Sequence, residues 1–367
     1  MAATGIGFDA ELELLRRETR RTLAERFPMQ RVRAAIDAPP QADVLRERAA
    51  HGWTGALIDE AHGGGGATLA QVSVIAEEHG RALFGASLES TAAIATLLAR
   101  YAQQSERLQA LNDGSMLIAW AGAEPDAITA TPTSSGVRLD GLARAVQDAE
   151  VSDTLLVTAR TDPDGRTIHA LVDASAAGIE RRPLRMFDVT RRNAEVTLHN
   201  VDVASADIID DPAALQAMLD AATVLTCADD TGAARALAEK SVLYAKERIT
   251  WGRPIASYQA IKHKCADMLV AVEGCEVVTR WAALAVDAHD RDAQNAVSIA
   301  KAYVSDAASM VAGESQQIHG GIGFTWEHDV HLYVRRIKAD AVLFGSAAWH
   351  RERVAEAIIP SATGDAR

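Results

Sequence analysis

A short polar and aromatic corner between two long helical patterns carries the side chains best suited to chemistry. It holds a cation at Arg248, a hydroxyl at Thr250, an aromatic ring at Trp251 and an amide at Gln259. Arginine binds phosphate through charge-assisted hydrogen bonds, and aromatic faces stack on flat rings. The set therefore predicts a binding site for an anionic ligand that contains an aromatic ring. The alternative is an ordinary helical corner, because Arg and Trp are common near helix ends.

A second stretch, Gln316–Phe324, also lies between two long helical patterns and contains the adjacent glycines Gly320 and Gly321. Adjacent glycines permit left-handed backbone and close approach of a ligand. Backbone amides near the start of a helix bind phosphate groups, so this turn is a candidate pyrophosphate site. By contrast, the glycine run 63–66 lacks the Gly-Lys-Ser/Thr of a P-loop, and we interpret it as a plain loop.

Helical and strand-like patterns alternate along the chain in a way that predicts three domains. Residues 8–116 have helical periodicity, and residues 117–209 alternate like strands. The remainder predicts helices at about 213–249, 257–288, 292–318 and 328–357, with Ser257 capping the second of them. The sequence thus predicts an α+β protein with an N-terminal α-helical domain (1–116), a middle β domain (117–211) and a C-terminal four-helix bundle (212–367).

Composition limits the partners and the compartment that we expect. The 367 residues include 48% hydrophobic and 24% charged residues, as in ordinary globular proteins. The formal net charge of −13 disfavours nucleic acid and anionic membranes as partners. The three cysteines form no CxxC pair, and we find neither a signal peptide nor an apolar run of about 20 residues. We therefore expect a cytoplasmic protein without a metal site.

The domain order, together with the stretches Arg248–Met268 and Gln316–Phe324, resembles the acyl-CoA dehydrogenase family. The resemblance covers nearly the whole chain, is strong over 230–340 and is faint before 210. It implies a helical domain, a β-barrel or sandwich domain and a four-helix bundle. It also implies FAD as the cofactor, an acyl-CoA substrate dehydrogenated to a trans-2-enoyl product, and an electron acceptor flavoprotein as a partner.

In that family both stretches reach across a subunit interface and hold the adenine and pyrophosphate half of an FAD that lies mainly on the neighbouring subunit. The resemblance carries this cofactor-binding role to matching positions of this chain: Arg248, Thr250, Trp251, Ile255, Tyr258, Gln259, Gln317, Ile318, Gly320 and Gly321.

The chain departs from the family where the chemistry is done. A glutamate that removes the α-proton is expected at one of two positions, which Phe344 and Ala222 occupy here. Neither side chain accepts a proton, whereas a general base must. The flavin-ring contacts of the middle domain are also absent: the matching stretches are 120–127 and 141–147, and no Trp-Ile-Thr element is recognisable.

We interpret the chain as the subunit that completes the flavin site of a homologous, catalytic partner in a heterotetramer, as in bacterial enzymes that include those acting on steroid side chains. One alternative is a homotetramer whose base has moved, with Asp229 or Asp230 as weak candidates. Another is a scaffold that binds no flavin. Asp220, Glu327, Asp329 and Asp340 are further carboxylates, and a solvated or salt-bridged helix face is the simpler explanation for each.

Overall fold

The computed structural model describes residues 10–39, 42–86, 88–101, 104–122 and 127–359. Its helices are α1 Ala10–Arg26, α2 Met29–Ile36, α3 Ala42–Ala50, α4 Leu69–Ala82, α5 Leu88–Leu98, α6 Ser105–Asp113, α7 Ala214–Glu247, α8 Gln259–Asp287, α9 Ala293–His319, α10 Val330–Asp340 and α11 Ala347–Ile358. Its strands are β1 Ile118–Ala121, β2 Ile128–Pro132, β3 Gly136–Gln147, β4 Thr154–Thr161, β5 Thr167–Asp173, β6 Ile179–Leu184, β7 Asn193–Ala204, β8 Ile208–Ile209, β9 Ile249–Thr250 and β10 Arg253–Pro254.

The chain contacts divide the described residues into two compact units. One comprises the residues up to 33, residues 69–84 and the residues from 223 onward, and we call it the bundle unit. The other comprises residues 34–68 and 85–222, and we call it the sheet unit. The long helix α7 begins in the sheet unit and continues into the bundle unit.

The sheet unit is built on one mixed sheet with the strand order β6-β7-β3-β2-β4-β5-β8, and β1 pairs with β4. The β1–β4 and β2–β4 pairs are parallel, and the other pairs are antiparallel. Alternate residues of β7 are buried, as expected when a strand places successive side chains on opposite faces. The buried face includes Leu139, Val157, Ala170 and Val196, and it forms the core of this unit.

The bundle unit contains a close crossing of α4 and α7 that two glycines make possible. A Cβ atom on Gly80 would lie 1.9 Å from the backbone oxygen of Asp229, and one on Gly232 would lie 1.7 Å from the backbone oxygen of Glu77. Any side chain at either position would therefore force the two helices apart. Two arginines of α1 add ion pairs: Arg16 contacts Glu77 at 2.6 Å, and Arg20 contacts Glu78 at 2.7 Å.

The α+β fold class and the order of helical and strand regions are confirmed. The predicted helix over 328–357 is wrong, because α10 and α11 are separated by residues 341–346. There Phe344 has φ +56° and Gly345 has φ +109°, conformations that no helix contains. Ser257 is also not the predicted cap, since the residue before α8 is Tyr258 and no side chain caps this end. In the described part of the chain, we find no helix long and apolar enough to cross a membrane.

Candidate functional site

The predicted corner is a hairpin that joins α7 to α8. Strands β9 and β10 pair through Thr250 and Arg253, which leaves Trp251 and Gly252 as a two-residue loop. Both loop residues have positive φ, +55° and +78°, as type I′ hairpin turns require. Glycine adopts this conformation readily, whereas tryptophan rarely does. The hairpin thus holds the Trp251 side chain outward, with 90% of its surface exposed.

The side chains around this hairpin divide into supporting and outward-facing groups. The Tyr258 hydroxyl donates to the backbone oxygen of Thr250 at 3.2 Å, and the Arg253 guanidinium lies 4.2 Å from the centre of the Tyr258 ring. Ile255 donates its backbone N–H to the Arg248 oxygen at 2.9 Å. The Arg248 side chain, by contrast, is exposed and forms no ion pair within the described residues. Arg248 is therefore available to an external anion.

The turn after α9 presents a second open surface. Gln317 is exposed, Ile318 is buried, and the turn continues through Gly320 and Gly321. Gly320 has φ +61°, and no described atom lies within 4 Å of a Cβ placed on either glycine. These glycines therefore leave room for a ligand beside the backbone, in contrast to the tightly packed glycines of the α4–α7 crossing.

An aromatic stack that the sequence did not predict joins the end of α7, just before the hairpin, to the end of α9. The Tyr244 ring near the end of α7 stacks on the His319 ring at a centroid distance of 4.6 Å. The Nδ1 atom of His319 lies 2.8 Å from the Ser315 oxygen, and burial lowers the pKa of His319. His328 lies 4.9 Å from His319 and accepts from the Val330 N–H at 3.3 Å, so both histidines are held by contacts within the chain. The one feature of the sequence that could have indicated this stack is the position of Tyr244, one helical turn before Arg248.

The two positions at which the family resemblance places a base lie in different surroundings. Phe344 is half-buried in the segment between α10 and α11, and its backbone oxygen lies 3.1 Å from Nε2 of His350. Ala222 is fully buried on α7. Neither carries an ionisable group, so neither position supplies proton transfer.

The alternative carboxylates are buried in the bundle unit. Both Asp229 oxygens accept from the Arg336 guanidinium, at 3.1 and 3.2 Å, and Arg336 is fully buried. Asp230 is also fully buried, and its charge adds to the burial that raises the pKa of Cys227 to about 12. The buried ion pair with Arg336 explains why Asp229 lies inside a helix, and this explanation requires no catalytic role.

The remaining candidate carboxylates have neighbours of their own or lie at the surface. Asp220 accepts from Gln216 at 2.7 Å, Asp329 pairs with Arg33 at 2.8 Å, Asp340 is buried, and Glu327 is exposed.

In the sheet unit, only part of the two stretches that match the family's flavin-ring contacts lies within the described residues. Residues 123–126, which include Glu124, lie outside the described residues. The Trp120 indole is buried and donates to the Thr158 hydroxyl at 2.9 Å, and that hydroxyl lies 3.0 Å from Nδ1 of His169. Burial lowers the pKa of His169 to about 4. Gln147 lines a cavity of about 10 Å³, space for about one water molecule.

The polar loop at 188–192 is structural within the sheet unit. The Asp188 carboxylate accepts from the backbone and the hydroxyl of Thr190 at 2.9 and 2.6 Å. Arg191 forms a buried ion pair with Glu89 at 2.7 Å, and Arg192 donates to backbone oxygens of residues 35 and 36.

Comparison with known proteins identifies the same protein family from the N-terminal and the C-terminal parts of the chain. Residues 213–359 match the model of the acyl-CoA dehydrogenase C-terminal domain, and residues 9–114 match that of the N-terminal domain. The acyl-CoA dehydrogenase IpdE2 of Mycolicibacterium smegmatis is 30% identical over 338 residues, which are 91% of this chain and 94% of that protein.

Two solved structures show the same fold. A variant of the Tcur3481-Tcur3483 steroid ACAD (acyl-CoA dehydrogenase) has a TM-score of 0.85 and 29% identity, with 94% of this chain and 96% of that chain covered. A glutaryl-CoA dehydrogenase from Mycobacterium smegmatis in complex with FADH2 has a TM-score of 0.87 and 18% identity, with 98% and 96% covered. Acyl-CoA dehydrogenases are FAD-dependent oxidoreductases, and the two family models and the IpdE2 relative establish that this chain belongs to the acyl-CoA dehydrogenase family.

Proposed function

We propose that this chain is a non-catalytic subunit of an acyl-CoA dehydrogenase and that it completes the flavin site of a homologous partner subunit. The observation that carries the proposal is a contrast within the bundle unit. Arg248 and Gln317 face outward without internal partners in the described chain, whereas the base position is occupied by Phe344. A subunit with this contrast has kept the groups that hold a ligand and lacks the group that moves a proton.

The exposed residues of the hairpin after α7 and of the turn after α9, which we together call the open surface, fit one half of an FAD molecule. Arg248 supplies a positive charge for the pyrophosphate, and the turn at Gly320 and Gly321 leaves space for it beside backbone amides. The exposed ring of Trp251 offers a stacking face for the adenine, and Gln317 offers an amide. These residues would hold FAD, which would supply an acceptor for the hydride that leaves the β-carbon of the acyl-CoA.

Removal of the α-proton is assigned to the partner. The reaction needs a base held at the α-carbon, and Phe344 and Ala222 have no proton acceptor. A base at Asp229 is disfavoured because a buried arginine holds both carboxylate oxygens. The partner subunit therefore contributes the glutamate, and this chain contributes contacts to the cofactor.

The names of similar proteins support a bulky substrate and a mixed assembly. The solved steroid ACAD is named after two chains, Tcur3481 and Tcur3483, and it is 29% identical to this chain. We therefore propose a heterotetramer in the cytoplasm that acts on an acyl-CoA with a steroid-derived side chain and passes electrons to an acceptor flavoprotein. The mixed assembly is the more direct part of this proposal, because it accounts for the missing base.

The test is to purify the chain alone and together with the base-bearing chain, by which we mean an acyl-CoA dehydrogenase encoded beside it that has the family's glutamate. Flavin absorbance per subunit is the measurement. We expect little flavin on the chain alone and about one FAD per pair of unlike subunits in the complex. One FAD per chain in the absence of a partner, or turnover by the chain alone, would contradict the proposal.

A matched pair of variants assigns the flavin to the open surface. Arg248→Ala should release flavin from the complex, whereas Lys246→Ala, at an exposed position of the same helical turn, should not. A complex without flavin in the wild type would instead indicate a scaffold.

A further inference from the structure

Two contacts, one helical turn apart, join the ends of α7 and α9. The hydroxyl oxygens of Ser241 and Ser315 lie 2.9 Å apart, and both residues are fully buried. Further along, the Tyr244 ring stacks on the His319 ring at a centroid distance of 4.6 Å, with 27° between the ring planes. Side chains three or four positions apart lie on the same face of a helix, so the two contacts belong to one helix–helix contact.

The Tyr244 end of this contact is bonded to the hairpin through the backbone. The Arg248 N–H donates to the Tyr244 oxygen at 2.8 Å, and the Ile255 N–H donates to the Arg248 oxygen at 2.9 Å. The position of Tyr244 therefore determines where the chain leaves α7 and where the backbone of Arg248 lies.

The His319 end is bonded to the turn at Gly320 and Gly321, which we call the glycine turn. His319 is the last residue of α9 and directly precedes Gly320. A Cβ on Gly323, at the far side of the turn, would lie 3.1 Å from the Cβ of His319, whereas no described atom lies within 4 Å of a Cβ on Gly320 or Gly321. The glycine turn is thus packed against His319 and open at its two glycines.

The His319 ring is fixed by contacts on several sides. Its Nδ1 atom lies 2.8 Å from the Ser315 oxygen, and because a carbonyl oxygen only accepts, Nδ1 carries the proton. The ring also lies 4.9 Å from the His328 ring, in addition to its stack with Tyr244. A side chain whose rotamer is held by packing and hydrogen bonds can hold its neighbours in a defined geometry.

We propose that Tyr244 and His319 are positioning residues, whose stack fixes the separation between Arg248 and the glycine turn before FAD binds. The inference rests on the proposed function and adds to it two residues that act through their neighbours. The family resemblance assigns a cofactor contact to Arg248 and Gly320 but to neither ring. A preformed separation lowers the conformational cost of binding a pyrophosphate between the two groups.

The experiment titrates FAD into the flavin-stripped complex with the base-bearing chain and records the melting temperature and mass of each complex. Tyr244→Leu should weaken FAD binding by about three- to ten-fold, the range that an aromatic pair contributes. Tyr244→Phe keeps the ring and should retain the wild-type affinity. His319→Asn keeps a donor for the Ser315 oxygen but removes the ring, and it should weaken FAD binding as much as Tyr244→Leu.

A double variant and a matched control separate positioning from general stability. Because the two rings act through one contact, Tyr244→Leu combined with His319→Asn should lose no more affinity than either change alone. Phe27→Leu is the control, since it breaks the ring pair with Phe84, which has the same centroid distance of 4.6 Å within the bundle unit. It should lower the melting temperature and leave FAD affinity unchanged.

The outcomes distinguish this inference from the proposed function. A wild-type complex that holds FAD, with unchanged affinity in Tyr244→Leu and His319→Asn, would overturn the positioning role and leave the proposed function intact. Additive losses in the double variant, an equal loss in Phe27→Leu, or failure of both ring variants to assemble would also overturn it, because each indicates a structural role alone. A wild-type complex without FAD would overturn the proposed function and this inference together.

Discussion

Two regions of the bundle unit have opposite characters: one is formed by the hairpin after α7 and the turn after α9, and the other is the segment between α10 and α11. The hairpin after α7 and the turn after α9 present Arg248, Trp251 and Gln317 outward. The segment between α10 and α11 instead turns Phe344 into a half-buried position, and its backbone oxygen lies within bonding distance of the His350 ring. The first region exposes groups suited to an external ligand, whereas Phe344 stands at the expected base position in the second. The two regions therefore differ in the chemical groups that they present.

The largest effect that we predict concerns the buried ion pair between α7 and α10. Asp229→Asn should lower the free energy of unfolding by about 3–5 kcal/mol, because it removes the carboxylate charge that lies against the buried Arg336 guanidinium. Chemical denaturation measures this loss, and Asp267→Asn at an exposed position of α8 is the control. If the variant keeps its stability but its flavin is no longer reduced by substrate, Asp229 would instead be identified as a relocated base. The contrast between the two regions of the bundle unit would then no longer hold.

The next effect concerns the open surface. Arg248→Ala should weaken flavin retention in the complex by a factor of about 10 to 100, because a hydrogen bond to a charged group contributes about 1.5–3 kcal/mol. Titration of FAD into flavin-stripped complex measures the affinity, with Lys246→Ala as the matched variant. Equal losses in both variants would indicate a general charge effect and not a specific contact.

A smaller, pH-dependent effect is expected at His350. Burial lowers the pKa of His350 to about 4, so the folded chain keeps this ring neutral while the unfolded chain protonates it below about 6.5. Stability is therefore fully present above pH 6.5 and falls as the pH decreases toward 4, by about 2 kcal/mol at pH 5. His350→Gln retains a donor for the Phe344 oxygen and should make this dependence less steep in melting curves from pH 7.5 to 4.5, while His169, whose pKa burial also lowers to about 4, still contributes. The same slope in the variant and the wild type would assign the pH dependence to other groups.

The smallest effect is expected from restoring a carboxylate. Phe344→Glu should give no measurable acyl-CoA dehydrogenation by the chain alone, because the proposed function assigns the flavin-ring pocket to the partner subunit. Phe344→Gln is the uncharged control, and reduction of an artificial electron acceptor by acyl-CoA is the assay. Turnover by Phe344→Glu in the absence of a partner would show that the chain holds a complete flavin site, and the comparison of the two regions would no longer hold.

Much of the architecture could be predicted from the sequence because it follows from local patterns. The helical and strand-like periodicities located the long helices α7, α8 and α9 and the strands of the sheet unit. The break at 341–346 was missed because Ala341, Val342 and Leu343 continue a helical pattern. Gly345 and Ser346 are sequence signals for a helix end and a new cap, and the Ser346 hydroxyl does accept from the Trp349 N–H at 3.3 Å.

The residues of the candidate site could be selected from the sequence, whereas their connections could not, and their role in holding a cofactor stays a prediction. Arg248, Gln317 and the glycine turn are readable from the sequence because their types and spacing match a motif. The contact of Tyr244 with His319 and the ion pair of Asp229 with Arg336 join distant parts of the chain, and the latter spans 107 positions. Tertiary packing decides such contacts, and one sequence alone does not reveal them.

The hairpin that carries Trp251 also affects how fast and how tightly a ligand can be held. A tryptophan at positive φ is strained by about 1–3 kcal/mol, and that cost is incurred when the chain folds. The hairpin pairing then holds the backbone of Trp251 in one conformation before any ligand arrives, so little backbone entropy remains to be lost there on binding. Under the proposed function, this preformed backbone should appear mainly as a slower dissociation rate of FAD.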